Sequence, residues 1–297
     1  MLKREKLKTL IITIAVILCV TATVLCLVFT DNILFKLRES GWDDTKDFVR
    51  VIDVGQGDSI LIHSNGYSAL IDTGDSENAL ELASSLHREG IQIIDVLIFT
   101  HLHTDHTGGV EQILKDFKVQ NLILPELSTF SDGIYSAELA IDKITRSGGE
   151  VFKAVKGMTF EIGDFDVSVI AAYNDLMDDN NRSLIIKAQK DNRKFLFMGD
   201  AEAKVEKKLL ADKIDIRCDV LKVGHHGSNT STIGDFLEEA NPVYAAISVG
   251  KDNIYNHPHI ATLKQLEKRG IKTYRTDSSG DITFFVKNSE IEIETEK

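Results

Sequence analysis

Residues 100–109 read THLHTDHTGG and place His101, His103, Asp105 and His106 within six residues, directly behind the apolar run DVLIF at 95–99. A run of that kind reads as a buried strand. Side chains of a strand alternate between its faces, so His101 and His103 leave on one side and two imidazoles can reach one ion. Asp105 and His106 stand where the chain turns into the next helix and can reach a second ion beside the first. Thr107, Gly108 and Gly109 permit a tight turn, because glycine accepts backbone angles that other residues avoid. A lone histidine in such a loop is ordinary solvated surface. Here seven of the nine histidines fall into three compact clusters, 101–106, 225–226 and 257–259, each at or just after an apolar strand. Solvation does not account for that distribution.

Working outward, FVRVIDV, SILIHS and YSALIDT are separated by the breaks GQGD and NG and read as a meander of adjacent strands. A helical pattern over Glu77–Arg88 leads to the strand IIDVLIF. Beyond the histidines, Val110, Ile113, Leu114 and Phe117 share one face of a helix that begins near Gly109. The strand NLILP, a helix around Ser136–Ser147 and the strands TFEI, FDVSVIA, SLIIKA and KFLFMG follow. The last third alternates helix Ala203–Leu210, strand DVLKVG, helix Ile233–Ala240, strand VYAAISV and helix Ala261–Arg269, then closes with IKTYRT and DITFFV. Two β-then-α halves predict an α/β fold, a four-layer αββα sandwich with helices over the outer faces of two packed sheets.

The chain has 297 residues, 43% of them hydrophobic, as a packed globular core requires. Thr9–Thr30 contains no charge and at helical rise is long enough to cross a hydrocarbon layer. Lys3, Arg4, Lys6 and Lys8 precede it and Asp31 follows, so the positive-inside rule puts the tail in the cytoplasm and exports the rest. No A-x-A-type cleavage site follows the apolar run, which favours an uncleaved anchor over a signal peptide. The expected organisation is a basic cytoplasmic tail over 1–8, a single transmembrane helix over 9–30, a juxtamembrane linker over 31–46 and one extracytoplasmic domain over 47–297. Cys19 and Cys26 lie in the proposed span, which leaves Cys218 alone and no intrachain disulfide in the domain. The formal charge is -12, and without the basic tail the remainder is more acidic still. Such a balance does not advertise a nucleic-acid surface. No obligate protein partner is evident.

The run from Val51 to Val286 resembles the metallo-β-lactamase superfamily, whose signature H-x-H-x-D-H is matched by His101, His103, Asp105 and His106. Within it the chain is most similar to the hydrolase domain of ComEC-type competence proteins. That likeness rests on VIDVGQGDSILI at 51–62, LIDTG at 70–74, NNRSLII at 180–186, FMGD at 197–200, LKVGHHGS at 221–228 and NHPH at 256–259. The resemblance implies two divalent ions, Zn or Mn, bridged by the Asp200 carboxylate. A helix N-cap is the plain structural alternative for Asp200. It also implies that His225, matching the last family histidine, completes the second site with Asp105 and His106; which of His225 and His226 points inward stays open.

One family position is unmatched. Many members supply a further histidine to the first ion, yet no histidine occurs between His106 and His225. Asn180 or Asn181 stands in the corresponding place, and Asn181 is taken as the ligand. An amide oxygen is a weaker, harder donor than imidazole, so the first site is expected to hold its ion loosely and to tolerate manganese or magnesium beside zinc. Asp58 and Asp72 are expected to orient ligands, with turn-forming aspartates as the alternative.

Two such ions lower the pKa of a bound water and polarise a phosphoryl or carbonyl oxygen, so the expected activity is hydrolysis. Asp105, His226 and His257 are the expected catalytic residues, His226 or His257 donating a proton to a leaving oxygen. GQGDS lacks the G-x-G-x-x-G spacing and no P-loop is present, which removes nucleotide-cofactor chemistry. The resemblance implies a phosphodiesterase acting on a DNA strand. The alternatives are a cell-surface esterase of the phosphorylcholine esterase or lactonase kind, acting on an ester or a cell-envelope polymer, and a non-catalytic, metal-stabilised binding module.

Overall fold

A computed structural model of the chain describes residues 46–128, 131–176 and 178–297. The expected tail, membrane helix and most of the linker lie outside the described residues. Among those described, no helix is long and apolar enough to cross a membrane.

Fifteen strands among the described residues form two sheets. The first contains β1 (Phe48–Val51), β2 (Ile60–Ser64), β3 (Tyr67–Ile71), β4 (Ile93–Ile98), β5 (Lys118–Leu124), β6 (Glu150–Lys153), β14 (Ile282–Lys287) and β15 (Glu290–Thr295), in the order β15-β14-β1-β2-β3-β4-β5-β6. The meander β1 to β3 is antiparallel, and β3, β4, β5 and β6 run parallel. The second contains β7 (Thr159–Ile162), β8 (Phe165–Ala171), β9 (Ile185–Lys190), β10 (Arg193–Phe197), β11 (Val220–Lys222), β12 (Tyr244–Ile247) and β13 (Lys272–Arg275), in the order β13-β12-β11-β10-β9-β8-β7. Its β10, β11, β12 and β13 are parallel.

The helices follow from apolar spacing. In α1 (Ala79–Arg88), Ala79, Leu82, Ala83 and Leu86 recur at i, i+3, i+4 and i+7 and are buried. They pack on Leu61, Leu70 and Leu97 of the first sheet, together with Val110 and Ile113 of α3 (Val110–Asp116) and Ala137 and Ile144 of α4 (Ile134–Arg146). A short α2 (Thr104–Thr107) carries the end of the histidine motif. Across the molecule, Val205 and Leu209 of α5 (Ala203–Ala211), Phe236 and Leu237 of α6 (Gly234–Ala240) and Leu266 of α7 (Ile260–Lys268) cover Leu196, Leu221 and Ala245 of the second sheet. Strand alternation sends Phe195 to the opposite face, where its ring lies 6.3 Å from Phe284 of β14 and joins the two sheets. Each fully buried side chain of this size contributes about 1.5–3 kcal/mol.

Two strands escape the sequence reading. β6 (EVFK) is a short, half-exposed edge strand. In β15 (EIEIET) the alternation of half-buried Ile291 and Ile293 with exposed glutamates is the period-2 signal itself, carried by a mostly polar segment. A final turn of helix, α8 (Thr276–Ser279), precedes β14. The chain leaves β3, β4, β10, β11 and β12 at their carboxyl ends, and in parallel sheets those ends are where ligand sites form.

Candidate metal centre

Three loops of the first sheet are laced together before any side chain is considered. The Asp58 amide donates to the Asp105 carbonyl (3.2 Å), the Thr73 amide to the His106 carbonyl (2.7 Å) and the Gly109 amide to the Gly74 carbonyl (3.0 Å). Glycine makes this approach possible: a Cβ on Gly57, whose φ is +143°, would lie 2.2 Å from the Asp105 carbonyl oxygen. The histidine motif therefore starts from a fixed backbone. Asp132 caps it further, accepting the Thr104 amide at 3.0 Å at the first residue of α2.

On that backbone the side chains sort into two groups around Asp200. Asp105, His106, His226 and Asp200 bring one donor atom each within 4.8 Å of one another, and so do His101, His103 and Asp200. The Asp200 oxygens divide between the groups. Oδ1 lies 3.2 Å from His106 Nε2 and 3.5 Å from His226 Nε2, whereas Oδ2 faces His101 Nε2 at 3.9 Å. His101 Nε2 in turn stands 3.1 Å from His103 Nδ1, and His226 Nε2 stands 3.2 Å from an Asp105 oxygen.

Each buried ligand is gripped from behind. His106 Nδ1 is 2.8 Å from Asp72 Oδ2, and the same carboxylate accepts the amide and hydroxyl of Thr100 at 2.8 and 2.7 Å. His226 Nδ1 faces the Ser248 carbonyl at 3.1 Å and Asp58 Oδ1 at 3.4 Å. Asp58 is paired at 2.7 Å with Lys222 Nζ, both side chains being 1% exposed. Lys222 belongs to β11 and Asp58 precedes β2, so this ion pair fastens one sheet to the other directly behind the centre. The expectation that Asp58 and Asp72 orient ligands agrees with these contacts.

The electrostatics ask for positive charge at one point. Burial opposes charge on His106 and His226, yet the surrounding carboxylates, Asp200 first, raise both imidazole pKa values well above the usual histidine range. Burial likewise opposes the Asp200 carboxylate, but His226 and His106 keep it well below its ordinary value. His101, which has burial and then the charge of His106 against it, is pushed well below its ordinary value. His106 Nε2, His226 Nε2 and Asp200 Oδ1 are buried without a hydrogen-bond partner. Buried polar atoms are rarely left so. Converging imidazole and carboxylate donors of this kind fit a divalent cation.

The structure changes two sequence assignments. His226 occupies the place expected of His225, with its ring among Asp105, His106 and Asp200; His225 lies on the other side of Asp200, its Nε2 3.9 Å from Oδ2. Both residues adopt left-handed backbone angles, φ 49° and 51°, so their side chains diverge where a strand's would alternate. Asn181 is turned from the centre, its amide nitrogen donating to Asp178 and Glu202 and its Oδ1 accepting the Glu202 amide. Asn180 lines the cleft instead, and its Oδ1 is buried without a partner.

The centre floors a cleft of ≈ 640 Å³ whose wall includes Asp75, Glu77, Asp132, Ile254, Tyr255 and His257. No lysine or arginine among the described residues lines it. Sequence reasoning had missed these carboxylates and Tyr255, and also Lys222 and Glu202; Lys222 was signalled as the one charge in the strand VLK. Ile254 and Tyr255 belong to a loop closed on itself by Asn253, whose side chain bonds the Gly250 and His257 carbonyls. The His257 ring lies 6.2 Å from that of His226 and near parallel to it. Burial, then the neighbouring His226, His225 and His259, lowers its pKa to about 4. His259 points away, accepting the Asn229 amide at 3.0 Å.

The family model described as the metallo-beta-lactamase superfamily matches residues 52–251. The chain belongs to this superfamily. Its members are usually metal-dependent hydrolases, and its two-sheet fold is the one described above. The chain is 33% identical over 262 residues to ComE operon protein 3 of Bacillus subtilis (strain 168), covering 81% of this chain and 33% of that protein. It is 31% identical over 300 residues to Recombination protein 2 of Haemophilus influenzae, covering 98% of this chain and 34% of that protein. These homologues are ComEC-type competence proteins, and the chain spans about a third of their length. Among solved structures, the metallo-beta-lactamase fold protein YhfI from Bacillus subtilis superposes with a TM-score of 0.52 at 10% identity, over 77% of this chain and 95% of that one. That likeness concerns the fold.

Proposed function

We propose that this metallo-β-lactamase-fold chain is a dinuclear phosphodiesterase, nuclease-like and of the ComEC type, held at the outer face of a membrane by residues 9–30. The observation that carries the reading is the division of the Asp200 carboxylate, one oxygen toward His106 and His226 and the other toward His101. When bound there, two divalent ions, Zn or Mn, would supply an activated water and polarise a phosphoryl oxygen. The chain's own residues set the geometry: Asp200 fixes the spacing, Asp72 and Asp58 aim His106 and His226, and Asp105, 30% exposed, opens its carboxylate to the cleft. His257, neutral at physiological pH, positions an incoming oxygen by hydrogen bonding. Likeness to a competence protein and a recombination protein supports a DNA strand as the substrate.

The acidic wall shapes how such a strand is held. Asp75, Glu77 and Asp132 disfavour phosphates beyond the one drawn to the ions, and with no lysine or arginine among the described residues lining the cleft few are neutralised, so added salt should not weaken binding steeply. The same wall, with Tyr255 at its edge, favours a second reading in which the phosphodiester carries a cationic group, as in a cell-envelope polymer.

The deciding experiment loads the full chain, in detergent, with Mn or Zn and presents bis-p-nitrophenyl phosphate, single-stranded DNA, a choline phosphodiester and a small lactone. Hydrolysis of the first two is expected, and Asp200→Asn should abolish it while the metal-free protein still unfolds cooperatively, though at an altered temperature because a buried charge facing His106 and His226 is removed. Turnover of the choline ester alone would select the second reading. No turnover of any of them would leave a metal-stabilised binding module.

A further inference from the structure

The first donor group holds two imidazoles, and the superfamily pattern leaves it one short, since no histidine lies between His106 and His225. We infer that His225 supplies the missing imidazole, so that the GHHG turn gives one histidine to each ion. This rests on the two-ion reading above. His225 Nε2 lies 3.9 Å from Asp200 Oδ2, the same distance as His101 Nε2 from that oxygen. Donors sharing one ion at about 2.1 Å stand roughly 3–4 Å apart. His225 is not among the three mutually closest donors, but its side chain is only 22% exposed and borders the open cleft beside them.

Two independent features prepare the residue for that role. Its Nδ1 is held by Glu202 Oε1 at 3.3 Å and Thr230 Oγ1 at 3.2 Å, which leaves Nε2 as the donor aimed at Asp200. A carboxylate behind the far nitrogen is the arrangement that orients metal-binding histidines. The second feature is the backbone. Consecutive left-handed angles at two residues other than glycine are unfavourable and persist only where the surroundings enforce them. Here the strain turns two adjacent imidazoles to opposite oxygens of one carboxylate. Asn180, whose Nδ2 is 3.4 Å from His225 Nε2, then neighbours the first ion's ligand and is not itself the third donor.

The test titrates Mn²⁺ and Co²⁺ into the metal-free full chain, following ion binding by calorimetry and counting paramagnetically shifted imidazole resonances in the cobalt form. Wild type should bind two ions and show five imidazoles. His225→Ala should show four and weaken one ion more than about 100-fold, because losing a ligand exceeds the 10–100-fold loss typical of an outer partner. Glu202→Gln should weaken the same ion roughly 10–100-fold with five imidazoles retained. Melting of the metal-free variants, with His225→Gln alongside, controls for folding. Two ions bound to His225→Ala as tightly as to wild type, or a loss confined to Asn180→Ala, would refute the role of His225 alone. Fewer than two ions in wild type would refute the dinuclear reading beneath it.

Discussion

Replacing Lys222 by Met probes the join between the sheets. The Lys222 ammonium sits 2.7 Å from Asp58 with both groups 1% exposed, and it also donates to the Val223 carbonyl at 3.1 Å. Methionine keeps most of the buried volume, so the cost is electrostatic, not a cavity. Asp58, buried, then loses the charge that most favours its ionised form and retains only His226 and the more distant His106. Removing one member of a buried pair costs about 3–5 kcal/mol. For a domain of this size that lowers the melting temperature by roughly 6–20 °C. Urea unfolding of the metal-free protein measures the loss, and a double variant, Lys222→Met with Asp58→Asn, should recover much of it because no unpaired charge remains. A loss below about 1 kcal/mol, or strictly additive single and double variants, would show that the pair is not the electrostatic fastening described here.

Three further outcomes follow from named contacts. Asp72→Asn removes the carboxylate behind His106 and should weaken metal binding roughly 10–100-fold, read by calorimetric titration. Gly57→Ala puts a Cβ 2.2 Å from the Asp105 carbonyl oxygen, so the loop must move; a stability loss above about 1 kcal/mol is expected in thermal unfolding, with weakened metal binding. Glu206 is buried against the Thr232 and Ile233 amides, and burial raises its carboxyl pKa to about 7. The folded state then binds the extra proton, so this stabilisation is complete below the ordinary glutamate pKa and is lost as pH rises through about 7. The unfolding free energy of wild type from denaturant titration should fall across that window by about 3 kcal/mol more than that of Glu206→Gln.

The strands and helices that hold the centre are legible because their signals are local. DVLIF and KFLFMG are apolar runs that end at a ligand, and α1 and α3 show helical spacing. The histidine motif is legible from its spacing and turn glycines, whereas Asp200 is legible only through the family resemblance, its local signal being equally that of a helix N-cap. The reading fails at two dipeptides, Asn180–Asn181 and His225–His226. Both lie in single turns of 3-10 type, the second with left-handed angles, where neither period 2 nor period 3.6 decides which neighbour faces inward. Lys222 and Glu202 were missed because their partners are far apart in sequence, Asp58 for the first, or lie across a turn, His225 for the second.

The cleft divides into a floor and a rim with different prospects for change. The floor stands on turns laced to strand ends, whereas Ile254 and Tyr255 stand on a loop whose Asn253 bonds are made within the loop itself. Exchanging Ile254 and Tyr255 while keeping Asn253, which holds the His257 backbone, therefore moves none of the donor atoms around Asp200. The rim at these two positions is thus the part of the cleft that can be altered to change which molecule is admitted while the donor set on the floor keeps its geometry.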